Sequence, residues 1–288
     1  MAATPKKLAG AVFVFMLLLV AFVLLRFPFA AVGRRLAVEV ARASGGALAL
    51  DAGRGRWRLE PAIVFEGGRL RAMGGSVAID GLRLLPAPAF LLGRGPAGSC
   101  RMALLGGELA VSLRRSSAGA AVTVAATDLA IDDLPVRFSF GTAKLSGTLS
   151  GRLRGEPDGD GHFAGDGELR LRDGRVRVQG VPAEVADLSF TELVAPLRLS
   201  GGRLTSEALV WRGRETEGKA QGWISLDGSR FRDGAVSVGG TFRILPELYG
   251  RLQKEGLPVE LLAGGADAAV PFRISGTIDH WKLTLHEE

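Results

Sequence analysis

Three histidines, one cysteine and scattered carboxylates are the side chains with which this 288-residue chain could do acid–base, nucleophilic or metal chemistry. Their spacing assembles none of these. His162, His280 and His286 form no short metal-ligand pattern, none neighbours a nucleophile motif, and no Gly-x-Ser-x-Gly elbow occurs. Cys100 stands alone, so neither an intrachain disulfide nor a thiolate metal site can form. Asp158 and Asp160 around Gly159 resemble the start of a calcium loop, but the later ligands and the closing Glu are missing, which leaves a turn between strands. Gly93, Gly95 and Gly98 spell G-x-G-x-x-G, yet Pro96 removes an amide donor and no acid follows at the distance a ribose contact needs. We therefore expect a non-enzyme, with no catalytic residues, no cofactor and no metal.

Charge offers a second kind of chemistry. Lys and Arg number 36 against 30 Asp and Glu, and arginine is the usual polar choice. Arg170, Arg172, Arg175 and Arg177 share one face of a predicted hairpin, where like charges opposite one another destabilise a sheet. Either an anionic partner, protein or lipid, offsets them, or neighbouring strands supply acids such as Asp166, Glu168 or Glu184. Nucleic acid is a poor match, because the acids are interspersed and a single Tyr gives little stacking.

The elements that must position these residues begin with an uncharged apolar run from Leu8 to Leu25, about 27 Å as a helix and close to the ~30 Å hydrocarbon core. A cleaved signal fits less well, since the stretch is long for one and Phe29 occupies the position where cleavage wants a small residue. The short head, residues 1–7, is read as cytoplasmic because long domains translocate largely regardless of flanking charge. Residues 8–26 form the span and residues 27–46 an amphipathic membrane-proximal helix. Its apolar face is Phe29, Val32, Leu36 and Val40, with Gly45 and Gly46 as its stop. That face either lies on the membrane surface or caps one end of the sheet that follows.

From Ala47 the period changes to two, and residues 47–288 read as one periplasmic β-domain rich in glycine-containing turns. Turns at Asp80-Gly81, Gly106-Gly107, Asp173-Gly174 and Gly201-Gly202 each put apolar residues on one side of a predicted hairpin. The first pairs Ile79 with Leu82 and Val77 with Leu84, and the second pairs Leu104 with Leu109. The third pairs Leu171 with Val176 and Leu169 with Val178, and the fourth Leu199 with Leu204. A meander over Asp227-Gly228 and Asp233-Gly234 would align Ile224, Phe231 and Val236. Gly147 and Gly151 suggest bends within a strand, and a late helix is expected from Leu245, Leu248, Tyr249 and Leu252. The fold class is thus mainly β: a long, curved, mostly antiparallel sheet with one apolar face. With few helices to cover that face, the sheet must curl into a sandwich, a half-barrel or a groove.

The order of several motifs resembles the general secretion pathway N proteins of type II secretion systems, in their long deltaproteobacterial form, which are themselves similar to AsmA-like proteins. The resemblance spans most of the chain. It rests on the span ending in Phe27-Pro28, on residues 90–93 (FLLG) leading to residues 105–108 (LGGE), and on residues 145–151 (LSGTLSG). Residues 167–174 (GELRLRDG), 222–226 (GWISL) and 272–278 (FRISGTI) continue it; Asp279-His280 departs from the Asp-Pro that usually follows. The resemblance implies an inner-membrane, periplasmic accessory of a type II secretion system that works through other secretion subunits and not by catalysis. Similarity to AsmA-like proteins implies instead an apolar β-groove that carries phospholipid acyl chains between membranes.

Overall fold

The computed structural model describes residues 27–44, 46, 48–57, 62–72, 75–86, 98–116, 119–138, 141–158, 163–178, 187–226, 234–254, 268–278 and 280–285. The expected span from Leu8 to Leu25 lies outside these residues, as do Phe231, Glu184, His162 and His286. Among the described residues no helix is long and apolar enough to cross a membrane.

Pro28 opens helix α1 (Phe29–Ala43), its carbonyl accepting from the amides of Ala31 and Val32. The helix ends where the glycines predicted it: the Gly46 amide reaches back to the Ala41 carbonyl at 2.7 Å, with Gly46 at φ 81°. Among the described residues fifteen strands follow in one sheet: β1 (Leu48–Asp51), β2 (Arg54–Trp57), β3 (Ile63–Ala72), β4 (Gly75–Pro86), β5 (Gly98–Leu104), β6 (Gly107–Ser116), β7 (Gly119–Phe138) and β8 (Gly141–Pro157) come first. Then come β9 (Phe163–Val178), β10 (Asp187–Ser200), β11 (Arg203–Arg212), β12 (Thr216–Ser225) and β13 (Ala235–Ile244), helix α2 (Pro246–Lys254), β14 (Ala269–Thr277) and β15 (His280–Leu285).

From β3 onward every strand pairs antiparallel with the next in sequence, while β1 and β2 both pair with β3. The last strand returns to β7 in a single parallel pair, Trp281 with Phe138. The row of paired residues that leaves β7 at Val122 runs through Gly155, Gly165, Leu199, Leu204, Ile224, Val236 and Gly276 to Trp281. It meets β7 again sixteen positions further along. The strands therefore coil steeply and touch at one point, which leaves one large curved sheet that is not closed along a seam.

Register corrects three of the four predicted hairpins. Asp173-Gly174 and Asp80-Gly81 are not turns; β9 and β4 run straight through them. Asp173 sits at φ 50° in a bulge, so Leu171 opposes Leu193 and Leu149, not Val176. Ile79 likewise opposes Leu104 and Gly68, not Leu82. The turn expected at Gly106-Gly107 falls one residue earlier, on Leu105-Gly106, both with positive φ, so Leu104 opposes Gly107. Gly201-Gly202 is a two-residue turn as predicted, with φ 52° and 67°, and Leu199 faces Leu204. Ile224 directly opposes Val236, so β12 and β13 are neighbours with no short strand between them. Of the two glycines expected to bend β8, Gly147 does so, at φ 143° beside a register shift, while Gly151 stays in register opposite Leu169.

A bulge switches the alternation of a strand just as a hairpin would, so the predicted apolar residues still share one face. Val77, Ile79, Leu82, Leu84, Leu169, Leu171, Val176, Val178, Leu199, Leu204 and Ile224 all fall on the same side of the sheet.

Candidate functional site

That shared face is the candidate site, and its chemistry is uniform. Across the paired, described residues from β7 to β15 it carries no charged residue, and its only hydroxyls belong to Ser206 and Thr216. One row through its middle reads Leu129, Leu149, Leu171, Leu193, Trp211, Gly218, Phe242 and Val270.

Glycines let this face bend tightly. A methyl on Gly167 would lie 2.8 Å from Leu153 Cα, and one on Gly240 would lie 2.7 Å from Ala220 Cα, so neighbouring strands approach there as only glycine permits. Aromatic rings use some of the room: Phe190 lies across Gly174 and Trp211 across Gly218, each from the adjacent strand. At those two positions the floor is a flat ring over bare backbone in place of an upright side chain.

Among the described residues two helices cover parts of the face. Helix α1 seats Phe29, Val32, Leu36 and Val40 on a core of Leu50, Ala52, Ile63, Phe65, Ile79 and Leu82. Gly33 makes the approach close, since a methyl there would lie 3.3 Å from the Phe65 ring. Capping the first strands is thus what this helix does in the fold. Cys100 packs against the same core, and burial pushes its thiol up to about 11, which makes it unreactive. At the far strands α2 places Leu248 and Leu252 on Ile244, Phe242 and Leu188.

Between the two helices the face is closed in part, with Leu129, Ala143, Leu171, Ala195 and Ala220 buried, and open in part. Leu109, Val111, Leu145, Leu149, Leu193 and Leu209 are half-buried, and at its borders Leu113, Phe163 and Leu285 are 36%, 42% and 46% exposed. Leu113 and Phe163 mark the end of the strands opposite to α2.

The four arginines predicted to stand opposite one another lie on the other face in a different arrangement, because β9 does not turn back. Arg170 meets Glu168 at 3.2 Å and Glu192 at 3.4 Å, Arg172 meets Asp128 at 2.6 Å, and Arg175 and Arg177 share Asp187 at 3.4 Å. Each has a carboxylate from its own or another strand, and Asp166 is not among them. These pairs are exposed, so each contributes at most about 1 kcal/mol.

Sequence reasoning missed the group that pins α2. Glu215, 7% exposed in the β11–β12 turn, receives Arg251 at 2.5 Å and the Ser189 amide at 2.7 Å, while its own carbonyl accepts from the Leu245 amide. Its neighbours come from two distant segments, β10 and the stretch from Leu245 into α2, and no local pattern announces it. Among the described residues no group of His, Cys, Asp and Glu could hold a metal ion. No protein-family profile, curated protein or solved structure matches this chain.

Proposed function

We propose that this protein, anchored by residues 8–26, binds lipid acyl chains on the open apolar face of its sheet and so handles lipid beside the membrane that holds it. One observation carries the reading: a charge-free apolar face runs unbroken from β7 to β15, yet between the helix-covered parts Leu145, Leu149, Leu193 and Leu209 stay half-buried beside buried neighbours such as Leu129 and Leu171. A face of that size left partly wet is costly unless something apolar covers it, at roughly 25 cal/mol for each Å². Its length suits the task, since a ten-residue strand such as β12 spans about 33 Å and one acyl chain about half of a ~30 Å bilayer core.

The ordered resemblance to general secretion pathway N proteins supports a second reading, a periplasmic inner-membrane accessory of a type II secretion system. There the same face would receive a secretion subunit.

Site-specific photo-crosslinking in living cells separates the two. A probe replacing Leu149 or Leu193, with labelled phosphate in the medium, should give a phosphate-labelled adduct of unshifted size. A discrete larger band without label would put the secretion reading first. No adduct at either position would mean a sealed face and would sink both.

A further inference from the structure

The opposite, polar face of the sheet carries one Phe, Tyr or Trp among its paired, described residues from β7 to β15: Trp223 on β12. Its cross-strand neighbours are small. Thr205 and Ser237 flank it in its own row, and Gly239 sits in the next. Beside the indole this leaves a cleft of about 490 Å³, within the range of small-molecule sites, whose rim carries Gln221, Glu207 and Arg273. The register shift between Ser206 and Leu209 brings Glu207 to that rim. Arg203 lies over the indole with its guanidinium 4.8 Å from the ring centroid. It opposes Ser225, so it approaches from the side away from Gln221 and Gly239. Trp223 is therefore held from one side and presented to the cleft on the other.

We propose that this cleft binds a pyranose ring of a glycan. A sugar has an apolar face of C–H bonds and an equator of hydroxyls that both donate and accept. The cleft offers the matching set: a flat π surface ringed on the polar face by the Thr205 and Ser237 hydroxyls, an amide, a carboxylate and a guanidinium. A bare anion would want cations without Glu207, and an acyl chain would want no polar rim. The site lies on the other face from the proposed lipid groove and does not depend on it.

The test is calorimetric titration of the full chain, in a detergent without a sugar headgroup, with triacetylchitotriose as the probe. Binding should be measurable and should weaken about tenfold or more, about 1.4 kcal/mol, in Trp223→Ala. The companion variant is Gly239→Val. A methyl at Gly239 meets nothing nearer than the Phe272 carbonyl at 3.8 Å, so this change fills the cleft without straining the strand, and it should weaken binding equally. Absence of binding up to about 10 mM, a range that admits even weak sites, would overturn the proposal. So would binding that both variants leave intact.

Discussion

Glu215 shows what one buried carboxylate can do in a sheet with few helices. It joins β10, the β11–β12 turn and α2 through Ser189, its own backbone and Arg251. Removing one partner of a fully buried pair costs about 3–5 kcal/mol. Arg251 keeps 35% of its side chain exposed, so Glu215→Ala should cost less, about 2–3 kcal/mol in a urea unfolding curve. Adding Arg251→Met should recover part of that loss. Asp173 poses the opposite problem, a non-glycine residue at φ 50° in the β9 bulge. Asp173→Asn should leave the melting temperature unchanged, whereas Asp173→Val should lower stability by about 1–2 kcal/mol. Cys100 contributes through protonation. Burial raises its pKa in the fold to about 11, so the folded state holds the proton more tightly than the unfolded chain. The resulting stabilisation is full below pH 9 and disappears as pH climbs to about 11. At pH 8 iodoacetamide should modify unfolded protein quickly and native protein hardly at all, which mass spectrometry reads directly.

At the scale of elements, the face of each strand was legible and its length was not. The same Asp-Gly pair that favours a two-residue turn also supplies a bulge, because both need a positive φ. A bulge shifts the alternation by one residue, as a hairpin does, so Leu171 and Val176 end on one side either way. Parity alone could not tell β9 from two short strands. The helices were plainer, because α1 and α2 carry local periodicity and α1 a local stop at Gly46. Which residues α1 touches was not legible, since Phe65, Ile79 and Leu82 lie on β3 and β4 and no local pattern in the helix names them. Leu36→Asp should therefore free α1 from the first strands while leaving the later ones folded. Hydrogen exchange should accelerate in α1 and in β1 to β3 and remain slow in β9 to β12; uniform acceleration would mean that α1 is not a separate cap.

For the molecule as a whole, the question is whether the apolar face is a core or a surface, and two leucines separate the cases. Leu171 is 4% exposed and is walled in by Leu149 and Leu193, so Leu171→Asp places an unpaired carboxylate where water does not reach and should abolish the fold. Leu209 lies on the same face opposite Ala220 but is half-buried. In a sealed core Leu209→Arg would cost several kcal/mol as well. Over an open groove the long arginine stem can lie along the apolar floor while its head reaches water, so the cost should stay near 1 kcal/mol. The guanidinium would then stand in the path of an acyl chain, with no carboxylate among the paired, described residues of that face from β7 to β15 to pair with it. The expected outcome is a folded Leu209→Arg protein whose bound phospholipid, counted by native mass spectrometry, falls well below that of the unaltered chain. Loss of both fold and lipid would instead mark the face as a core, and the sheet would need another surface for its work.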